Sequence, residues 1–459
     1  MSSAVKIGVI GAGSAQFSLG LVRDLILTEG LRGGTVCFMD VDAERLELVH
    51  RLATRYVHEI GVDLRFEQSM EREAALVDAD FVINTALVGG HPAEEAERRL
   101  AEEHGYYRGI RPLHMQLQLG MILSVARDLE RLCPDAWLIQ SSNPVFEGCT
   151  LMSRETGVKV VGVCHGFYGY RSVCRVLGID PDRVTWQAPG FNHVIYLTHF
   201  RYRGENAYPL LDQWIATKAV DYWATHRPTY GDNQMSRAAI DHYQRVGLMP
   251  LGDTPRAFTT WWYHTDLETK KRWFGHLGGF DSEVGWQQYL DKLRQNLQTL
   301  ASAARDDHRP VSEALPLTHS GELQVPLIDS LTNDIERTIQ VNVPNRGAIQ
   351  GIPDDVVVEG QAVVSGKGIQ LLQVGRLPET LMLQILLPRW LLLERTLSAF
   401  MRRDYPLLRD IVLEDHRTRS PEQADALLDA MLALPHNAEL TAWYGRPGHE
   451  TVTTPTNGS

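Results

Sequence analysis

The sequence predicts an α/β fold in which an N-terminal Rossmann-like parallel sheet is followed by an α+β domain. Two observations carry this prediction. Short apolar strands alternate with helices over the first 90 residues, and a glycine-rich turn follows the first strand. Such alternation is typical of doubly wound parallel sheets with right-handed crossover connections.

The individual elements follow from local residue patterns. Apolar runs of about five residues indicate buried strands, whereas apolar residues spaced three and four apart indicate helices. On these grounds we place strands at 6–10, 35–39, 81–86 and 159–163, a further strand within 136–144, and helices at 17–28 and 43–60.

The turn after the first strand, Gly11-Ala12-Gly13-Ser14, predicts a dinucleotide-binding loop. Gly11 permits the tight turn, and Gly13 lets backbone N–H groups approach a pyrophosphate at a helix N-terminus. Asp40 ends the second strand, where a carboxylate accepts bonds from the adenosine ribose and favours NAD. Gln16 stands where the usual pattern has a small residue, so an unrelated glycine-rich turn is the alternative.

The carboxyl ends of parallel strands meet at one edge of a sheet, and the ligand lies there. Asn84, Asn143 and Cys164 each stand at such an end, so we expect them near one another. Cys164 and His193 offer a thiolate and an imidazole, which are good ligands for a transition metal. The alternatives are a buried apolar cysteine and an Asn143-Pro144 pair that only forms a turn.

Composition excludes several classes of partner. The net charge of −12 argues against nucleic acid, because phosphate binding needs a basic surface. Five irregularly spaced cysteines form no disulfide framework, which favours a reducing, cytoplasmic location. No apolar run approaches the ~18 residues of a membrane span, and the chain opens on a strand rather than a signal peptide.

We predict three segments along the chain. Residues 1–195 form the NAD-binding domain with the metal site at its edge, 196–445 form the α+β domain for substrate binding and oligomerisation, and 446–459 form a disordered tail. The aromatic run Trp261-Trp262-Tyr263 favours core and subunit contacts, so we expect a homodimer or homotetramer.

Several short motifs, taken together, resemble glycoside hydrolase family 4, the NAD- and metal-dependent glycosidases. The resemblance covers roughly residues 5–440 and implies a lactate/malate dehydrogenase-like fold. The residues that carry it are Gly11-Ala12-Gly13-Ser14, Asn84, Ser142-Asn143-Pro144, Cys164-His165-Gly166, Asn192-His193, Gly252-Asp253-Thr254-Pro255-Arg256 and Asn342-Val343-Pro344-Asn345.

The resemblance implies an unusual hydrolysis that differs from the two-carboxylate scheme of most glycosidases. NAD+ oxidises C3 of the sugar, the proton at C2 becomes acidic, and a metal ion, Mn2+, stabilises the enolate as a Lewis acid. The glycosidic oxygen leaves by elimination, water adds, and the reduced cofactor returns its hydride.

The resemblance also implies residue roles. Cys164 and His193 match the metal ligands, and Asn143 matches a residue that holds sugar hydroxyls. His165 takes the general-acid position, because a histidine can supply a proton near neutral pH. Asp253 takes the position of the base at C2, with Arg256 to orient it or to bind substrate.

Two role assignments stay open at this point. Tyr243 is an alternative base, because some branches of the family use a tyrosine. Asp253 could simply cap a helix that begins near Thr254-Pro255. Asn84, Gly11, Gly13, Ser14 and Asp40 complete the predicted cofactor site.

The residue after Cys164 bears on the substrate. Phosphosugar-specific relatives carry Asp or Asn there, whereas His165-Gly166 resembles the branch that acts on unphosphorylated α-glycosides, of the α-glucosidase or α-galactosidase type. An α-glucuronidase or α-galacturonidase is the first alternative. A 2-hydroxy-acid dehydrogenase and a non-enzymatic NAD sensor are less favoured, since neither explains the residues at the strand ends.

Overall fold

A single mixed sheet organises the larger part of the computed structural model, which describes residues 4–256 and 258–444. The predicted tail at 446–459 lies outside the described residues. The strands are β1 Lys6–Ile10, β2 Thr35–Met39, β3 Arg65–Ser69, β4 Phe81–Asn84, β5 Trp137–Gln140, β6 Lys159–Gly162, β7 Val184–Gln187, β8 Gly190–Phe191, β9 Val194–Leu197, β10 His199–Tyr202, β11 Glu205–Asn206, β12 Met249–Leu251, β13 Arg337–Pro344, β14 Val357–Ser365 and β15 Gly368–Leu371.

Helices connect and cover these strands. They are α1 Ala15–Leu27, α2 Ala43–Ile60, α3 Arg72–Leu76, α4 Gly90–Glu103, α5 Arg111–Leu132, α6 Val145–Glu155, α7 Gly169–Leu177, α8 Tyr208–Thr217, α9 Ala219–Thr225, α10 Arg237–Val246, α11 Leu267–Phe274, α12 Glu283–Arg305, α13 Val311–Ala314, α14 Gln324–Asn333, α15 Glu379–Leu381, α16 Leu387–Arg402, α17 Tyr405–Leu413, α18 Pro421–Leu432 and α19 Ala438–Tyr444, with a π-helical turn at Met382–Leu386. None of the described helices is long and apolar enough to cross a membrane.

The six N-terminal strands are parallel and lie in the order β3-β2-β1-β4-β5-β6. This is the strand order of a dinucleotide-binding fold, in which the chain reverses direction across the sheet between β1 and β4. The predicted fold class is therefore confirmed, and the predicted strands and helices of the first 165 residues are present with small shifts at their ends.

Local sequence explains why these elements begin and end where they do. β1 and β2 are buried along nearly their whole length, as expected for strands with helices on both faces. The Asp42 side chain accepts a hydrogen bond from the backbone of Arg45 and begins α2, which ends at Gly61 with a φ of 73°.

The sheet separates two apolar layers. On one face α1, α2 and the later helices α12 and α14 pack over β1, β2 and β13. On the other face α3, α5 and α6 pack over the parallel strands of the N-terminal half. Helices from the second half of the chain thus complete a core that the first half begins.

The second half of the chain also extends the sheet itself. The antiparallel hairpin β13–β14 lies beside β6, with Asn342 opposite Gly162, and β8, β9 and β12 continue the sheet beyond β14. A separate three-stranded sheet, β11-β10-β7, lies outside it. The β13–β14 hairpin places residues from positions 340–360 next to the carboxyl end of β6.

The chain divides into two compact units, but not at the predicted boundary of residue 195. Of the described residues, 4–87, 119–256 and 258–389 belong to the first unit, and 88–118 and 390–444 belong to the second. Residue 195 lies within β9, whose partners β8 and β12 lie on both sides of it along the chain, and the predicted boundary stays a prediction. Within the second unit, α4, α17, α18 and α19 share one apolar cluster.

Candidate active site

The glycine-rich turn has the geometry that a nucleotide loop requires. Gly11 has a φ of 84°, and a Cβ there would lie 2.6 Å from the backbone of Ala86, so only glycine fits. The Gly13 N–H donates to Oδ2 of Asp40 at 2.7 Å, which ties the turn to the end of β2. Ser14 then stands at the N-cap of α1, whose first N–H groups have no helical partner.

Asn84 does not take the predicted cofactor-binding place. Its side chain is fully buried at the end of β4, where Nδ2 donates to Gln140 Oε1 at 3.0 Å and Oδ1 accepts from the backbone of Ala86 at 3.2 Å. Burial behind the turn that follows β4 leaves no surface for a ligand. The strand end was predicted correctly, but the side chain points into the protein rather than toward the site.

Cys164 lies just past β6, half-buried, in contact with groups from later strands. Asn192 and the backbone N–H of Gly166 favour its thiolate form. Burial raises the pKa of the Cys164 thiol to about 12, and the carboxyl groups of Glu359 and Asp253 act in the same direction. A thiolate in this position therefore needs a cation beside it, and a bound metal ion is such a cation.

His193 occupies the tight turn between β8 and β9. Its φ of 64° is unusual for a residue other than glycine and allows a turn of only two residues, Asn192-His193. The turn directs His193 toward the loop after β12, where its Nδ1 lies 3.7 Å from Oδ2 of Asp253. The Asp253 carboxyl group also contributes to the raised pKa of Cys164, which places Asp253 in the surroundings of both predicted ligands.

The approach of two glycines brings these loops together. Gly252, with a φ of 57°, packs on Gly166 so closely that a Cβ would lie 2.7 Å from the Gly166 Cα. A side chain on Gly252 would separate the loop that carries Cys164 and His165 from the loop that carries Asp253. The distance between the metal-ligand candidate and the base candidate therefore depends on this contact.

A series of ion pairs fixes the position of the Asp253 carboxylate. Arg256 donates to Asp253 at 2.5 Å through Nη2 and lies 3.4 Å from Asp281 through Nη1. Lys270, which has no exposed surface, donates to Asp281 at 2.9 Å and lies 3.1 Å from Nδ1 of His264. Although burial opposes it, the cations of Lys270 and Arg256 hold the pKa of Asp281 well below its usual range.

His165 is exposed and faces a carboxylate that the sequence did not identify. Its Nδ1 lies 3.5 Å from Oε1 of Glu322, and 67% of its side chain is exposed. The interaction with Glu322 raises the pKa of His165, and Asp253 and Glu359 act in the same direction. Although burial opposes it, the His165 interaction lowers the pKa of Glu322. His165 is thus oriented from one side and open to a ligand from the other.

Glu359 is the second carboxylate that sequence reasoning missed. It lies in β14 with 1% of its surface exposed and accepts hydrogen bonds from Asn192 at 3.1 Å and Gln340 at 3.3 Å. Burial raises its pKa to about 7. A glutamate within the run Val356-Val357-Val358-Glu359 was the available signal, because a charged residue in a buried strand requires partners.

Of the remaining predicted residues, Asn143 is accessible to a ligand and Tyr243 is buried. Asn143 is exposed past the end of β5, so its amide is accessible at the predicted edge of the sheet. Tyr243 is buried in an apolar cluster, where its hydroxyl donates to Asp212 at 2.7 Å and its ring stacks on Tyr208. These contacts do not support Tyr243 as the base, and burial raises its pKa, with Asp212 acting in the same direction.

The protein supplies only part of the ligand set that a metal ion needs. Within the described parts of the chain, no three histidine, cysteine, aspartate or glutamate side chains come together as a complete metal cage. Cys164 and His193 supply one sulfur and one nitrogen, which suit Mn2+ or Zn2+ less specifically than a full shell does. A site of this kind leaves positions open for substrate oxygens.

Comparison with known proteins identifies what the chain is similar to. Residues 6–178 match the family described as "Family 4 glycosyl hydrolase", and residues 188–418 match its C-terminal domain. An α-galacturonidase of Lachnoclostridium phytofermentans is 24% identical, covering 94% of this chain and 96% of its own. An α-galactosidase of Bacillus subtilis is 25% identical, covering 82% of this chain and 85% of its own.

Solved structures share the fold. The 6-phospho-β-glucosidase of Thermotoga maritima, solved with manganese, NAD+ and glucose-6-phosphate, superposes with a TM-score of 0.75 at 19% identity, covering 96% of this chain and 99% of its own.

Proposed function

The chain belongs to family 4 of the glycosyl hydrolases, and from this we propose that it hydrolyses unphosphorylated α-glycosides with NAD+ and Mn2+ as cofactors. The observation that carries the proposal is the meeting of Cys164, His193 and Asp253 at the edge of a dinucleotide-binding sheet. A dehydrogenase of 2-hydroxy acids would have no use for a thiol in this place.

The cofactor roles rest on the residues already described. Gly11, Gly13 and Ser14 would hold the pyrophosphate, Asp40 the adenosine ribose, and Cys164 with His193 the metal ion. When bound, NAD+ supplies a reversible oxidation at C3 of the sugar, and the metal ion supplies Lewis-acid stabilisation of charge at the C2 and C3 oxygens.

Asp253 is the group that we assign to the proton at C2. Its carboxylate stands beside His193, and the contact with Arg256 fixes one of its oxygens. Arg256 is itself held by Asp281, so the carboxylate has little freedom to rotate away. A base that is fixed in this way is oriented before substrate arrives.

His165 is the group that we assign to the leaving oxygen. It adjoins Cys164, its ring is exposed, and Glu322 lies 3.5 Å from its Nδ1, which leaves Nε2 to face the substrate. A nearby carboxylate favours the protonated imidazole, the form that can donate. Asn143, on the neighbouring strand end, would bind a sugar hydroxyl.

Hydrolysis of α-galacturonides is the second candidate. It is favoured by the α-galacturonidase of L. phytofermentans, which aligns with 94% of this chain, whereas the α-galactosidase of B. subtilis aligns with 82%. The added carboxylate of a uronide requires an arginine or lysine partner. Arg256 is already engaged by two carboxylates, so it is poorly placed to be that partner.

The proposal is tested by assaying 4-nitrophenyl α-glucoside, α-galactoside and α-galacturonide with NAD+, Mn2+ and a thiol, each omitted in turn. We expect hydrolysis of at least one substrate, its loss without NAD+ or Mn2+, no net NADH, and deuterium exchange at C2 from heavy water. The preferred substrate separates the two candidates. Hydrolysis that persists without both cofactors contradicts the mechanism, and steady NADH formation would indicate a dehydrogenase.

An Asp253→Asn variant tests the base, with Asp241→Asn as its matched control. Asp241 also accepts a hydrogen bond from a buried side chain, Tyr263, but lies in α10 away from the cysteine. We expect exchange at C2 to fall by roughly 100-fold or more only in the first variant. Equal effects in both would mean that Asp253 is only structural.

We also propose a homodimer or homotetramer in a reducing, cytoplasmic compartment. All five cysteines are free thiols, and Cys164 must stay reduced to bind a metal ion. Trp261 is 38% exposed, which suits a subunit contact. Light scattering of the purified chain measures the subunit number, and a monomer would overturn this part of the proposal.

A further inference from the structure

A pocket of about 430 Å³ lies between the start of α10 and the end of α11. None of the residues assigned above to substrate, NAD+ or metal lines it. Two indole rings, Trp223 and Trp273, form its apolar surface, and three cationic side chains surround them: Arg237, Lys271 and Arg272. Its volume is in the range of small-molecule sites.

The two arginines of this pocket share an unusual arrangement. The Arg237 guanidinium lies 4.6 Å from the centre of the Trp223 ring, and that of Arg272 lies 5.5 Å from the Trp273 ring. Neither guanidinium forms a hydrogen bond or ion pair with any of the described residues. A guanidinium over an aromatic ring makes a cation–π contact that leaves its N–H donors available for an oxyanion.

The charges in the pocket favour an anion although the protein as a whole carries −12. Asp232 is the one carboxylate among the lining residues, and it is already paired with His226 at 2.9 Å. The N-terminus of the ten-residue helix α10 adds partial positive charge, because Ser236 and Arg237 open both the helix and the pocket wall.

The opposite wall offers acceptors instead of donors. Phe274 ends α11 there, and the last turn of a helix leaves carbonyl groups without helical partners. A ligand that fills the pocket therefore needs an oxyanion at one end and hydroxyl donors at the other, with an apolar face for the indole edges. A sugar acid combines all three features.

We propose that this pocket is a second binding site, separate from the catalytic one, for a monosaccharide that carries a single oxyanion, either a carboxylate or a phosphate. The oxyanion lies between Arg237 and Arg272, and the ring hydroxyls face the end of α11. This site does not depend on the proposed hydrolysis, because its residues are distinct from those of the catalytic site.

The pocket also adjoins the charges that hold Asp253. Phe274 contributes to the pocket wall, and its buried ring lies 5.3 Å from the His264 ring and 5.0 Å from the Lys270 ammonium. One aromatic side chain thus separates a bound ligand from the Lys270–Asp281–Arg256 chain.

Calorimetric titration of the full chain tests the site, with neither NAD+ nor Mn2+ present so that the catalytic site is not assembled. The ligands are galacturonate, galactose 6-phosphate, inorganic phosphate and galactose. The variants are Arg237→Gln, Arg272→Gln and their combination. Arg403→Gln is the matched control, because the Arg403 guanidinium also lies over an indole ring, that of Trp443, at 4.1 Å.

We expect one of the two sugar acids to bind with a stoichiometry of one, and the tighter of them identifies the oxyanion. Galactose and inorganic phosphate should bind at least about tenfold more weakly, as should the doubly substituted protein. Affinity should also fall in 0.5 M salt, because the pocket is open to solvent. Each single variant should lose part of this affinity, so the single variants serve as the test if the double variant does not fold.

Three results would overturn the proposal. They are affinity for galactose equal to that for the tighter of the two sugar acids, affinity for inorganic phosphate equal to that same value, and unchanged affinity in the arginine variants relative to Arg403→Gln. Because binding is read without turnover, failure here is distinguishable from failure of the hydrolysis assay.

Discussion

Replacing Lys270 with methionine tests the buried charges that hold the candidate base. Lys270 has no exposed surface and donates to Asp281 at 2.9 Å, so the substitution leaves the carboxylate buried with one cation fewer. Breaking a buried pair costs about 3–5 kcal/mol. Asp281 keeps Arg256 at 3.4 Å, which places the expected loss at the lower end, about 3 kcal/mol or roughly 150-fold in the folding equilibrium.

The same substitution should reduce catalysis beyond its effect on stability. With Lys270 gone, Asp281 attracts Arg256 more strongly, and Arg256 is the group that fixes Asp253 at 2.5 Å. A displacement of about 1 Å at a reacting group can cost roughly 100-fold in rate. We therefore expect kcat to fall in protein that is still fully folded, with a smaller change in KM.

Urea unfolding followed by tryptophan fluorescence measures the first effect, and initial rates at low temperature measure the second. Lys271→Met is the matched control, because Lys271 is adjacent, half-buried and paired with Glu268 on the same helix. Its free energy of unfolding should change by no more than about 0.5 kcal/mol. If the two variants lose equal stability, the buried pair does not contribute as argued.

Three further outcomes are expected. Cys164→Ser should abolish Mn2+-dependent hydrolysis while leaving the melting temperature of the metal-free protein nearly unchanged, and Mn2+ titration of activity would reveal any retained site. Asp40→Ala should weaken NAD+ binding by about tenfold or more, because the ribose acceptor and the Gly13 hydrogen bond are both lost; unchanged affinity by fluorescence titration would contradict the loop assignment. Although burial opposes it, the interaction with His114 lowers the pKa of Glu97 in the folded protein. The stability that ionised Glu97 contributes is therefore present above the unfolded pKa of about 4.3 and is lost as pH falls through the folded pKa. Glu97→Gln should therefore flatten the acid limb of the unfolding free energy, and identical pH profiles would exclude this contribution.

Much of the N-terminal half could be predicted from local sequence, because each element there depends on its own residues. Five of the six strands up to residue 163 and the first two helices follow from apolar periodicity, and the turn at Gly11 follows from the glycine pattern after the first strand. The convergence of parallel strand ends also predicted that Asn143 and Cys164 stand at the same edge of the sheet, and the pairing of Cys164 with His193 at a metal ion stays a prediction.

The predictions that failed concern side-chain direction and long-range contacts. Asn84 stands at a strand end as expected, yet the turn after β4 covers it and Gln140 takes its amide. The long-range pairing of β13 and β14 with β6 and β8, from more than 140 residues away, was not predicted either. Periodicity along the chain carries no information about either.

The sequence by itself determined the nucleotide fold, the glycine-rich turn and the identity of the thiol and imidazole, because these depend on backbone conformation and on residue chemistry. Only the tertiary structure decided which carboxylates accompany them. Glu322, Glu359 and Asp281 come from separate elements of the second half and have no local signature that marks them as site residues. Burial and proximity give these groups their charge states, and both arise only when distant segments pack together.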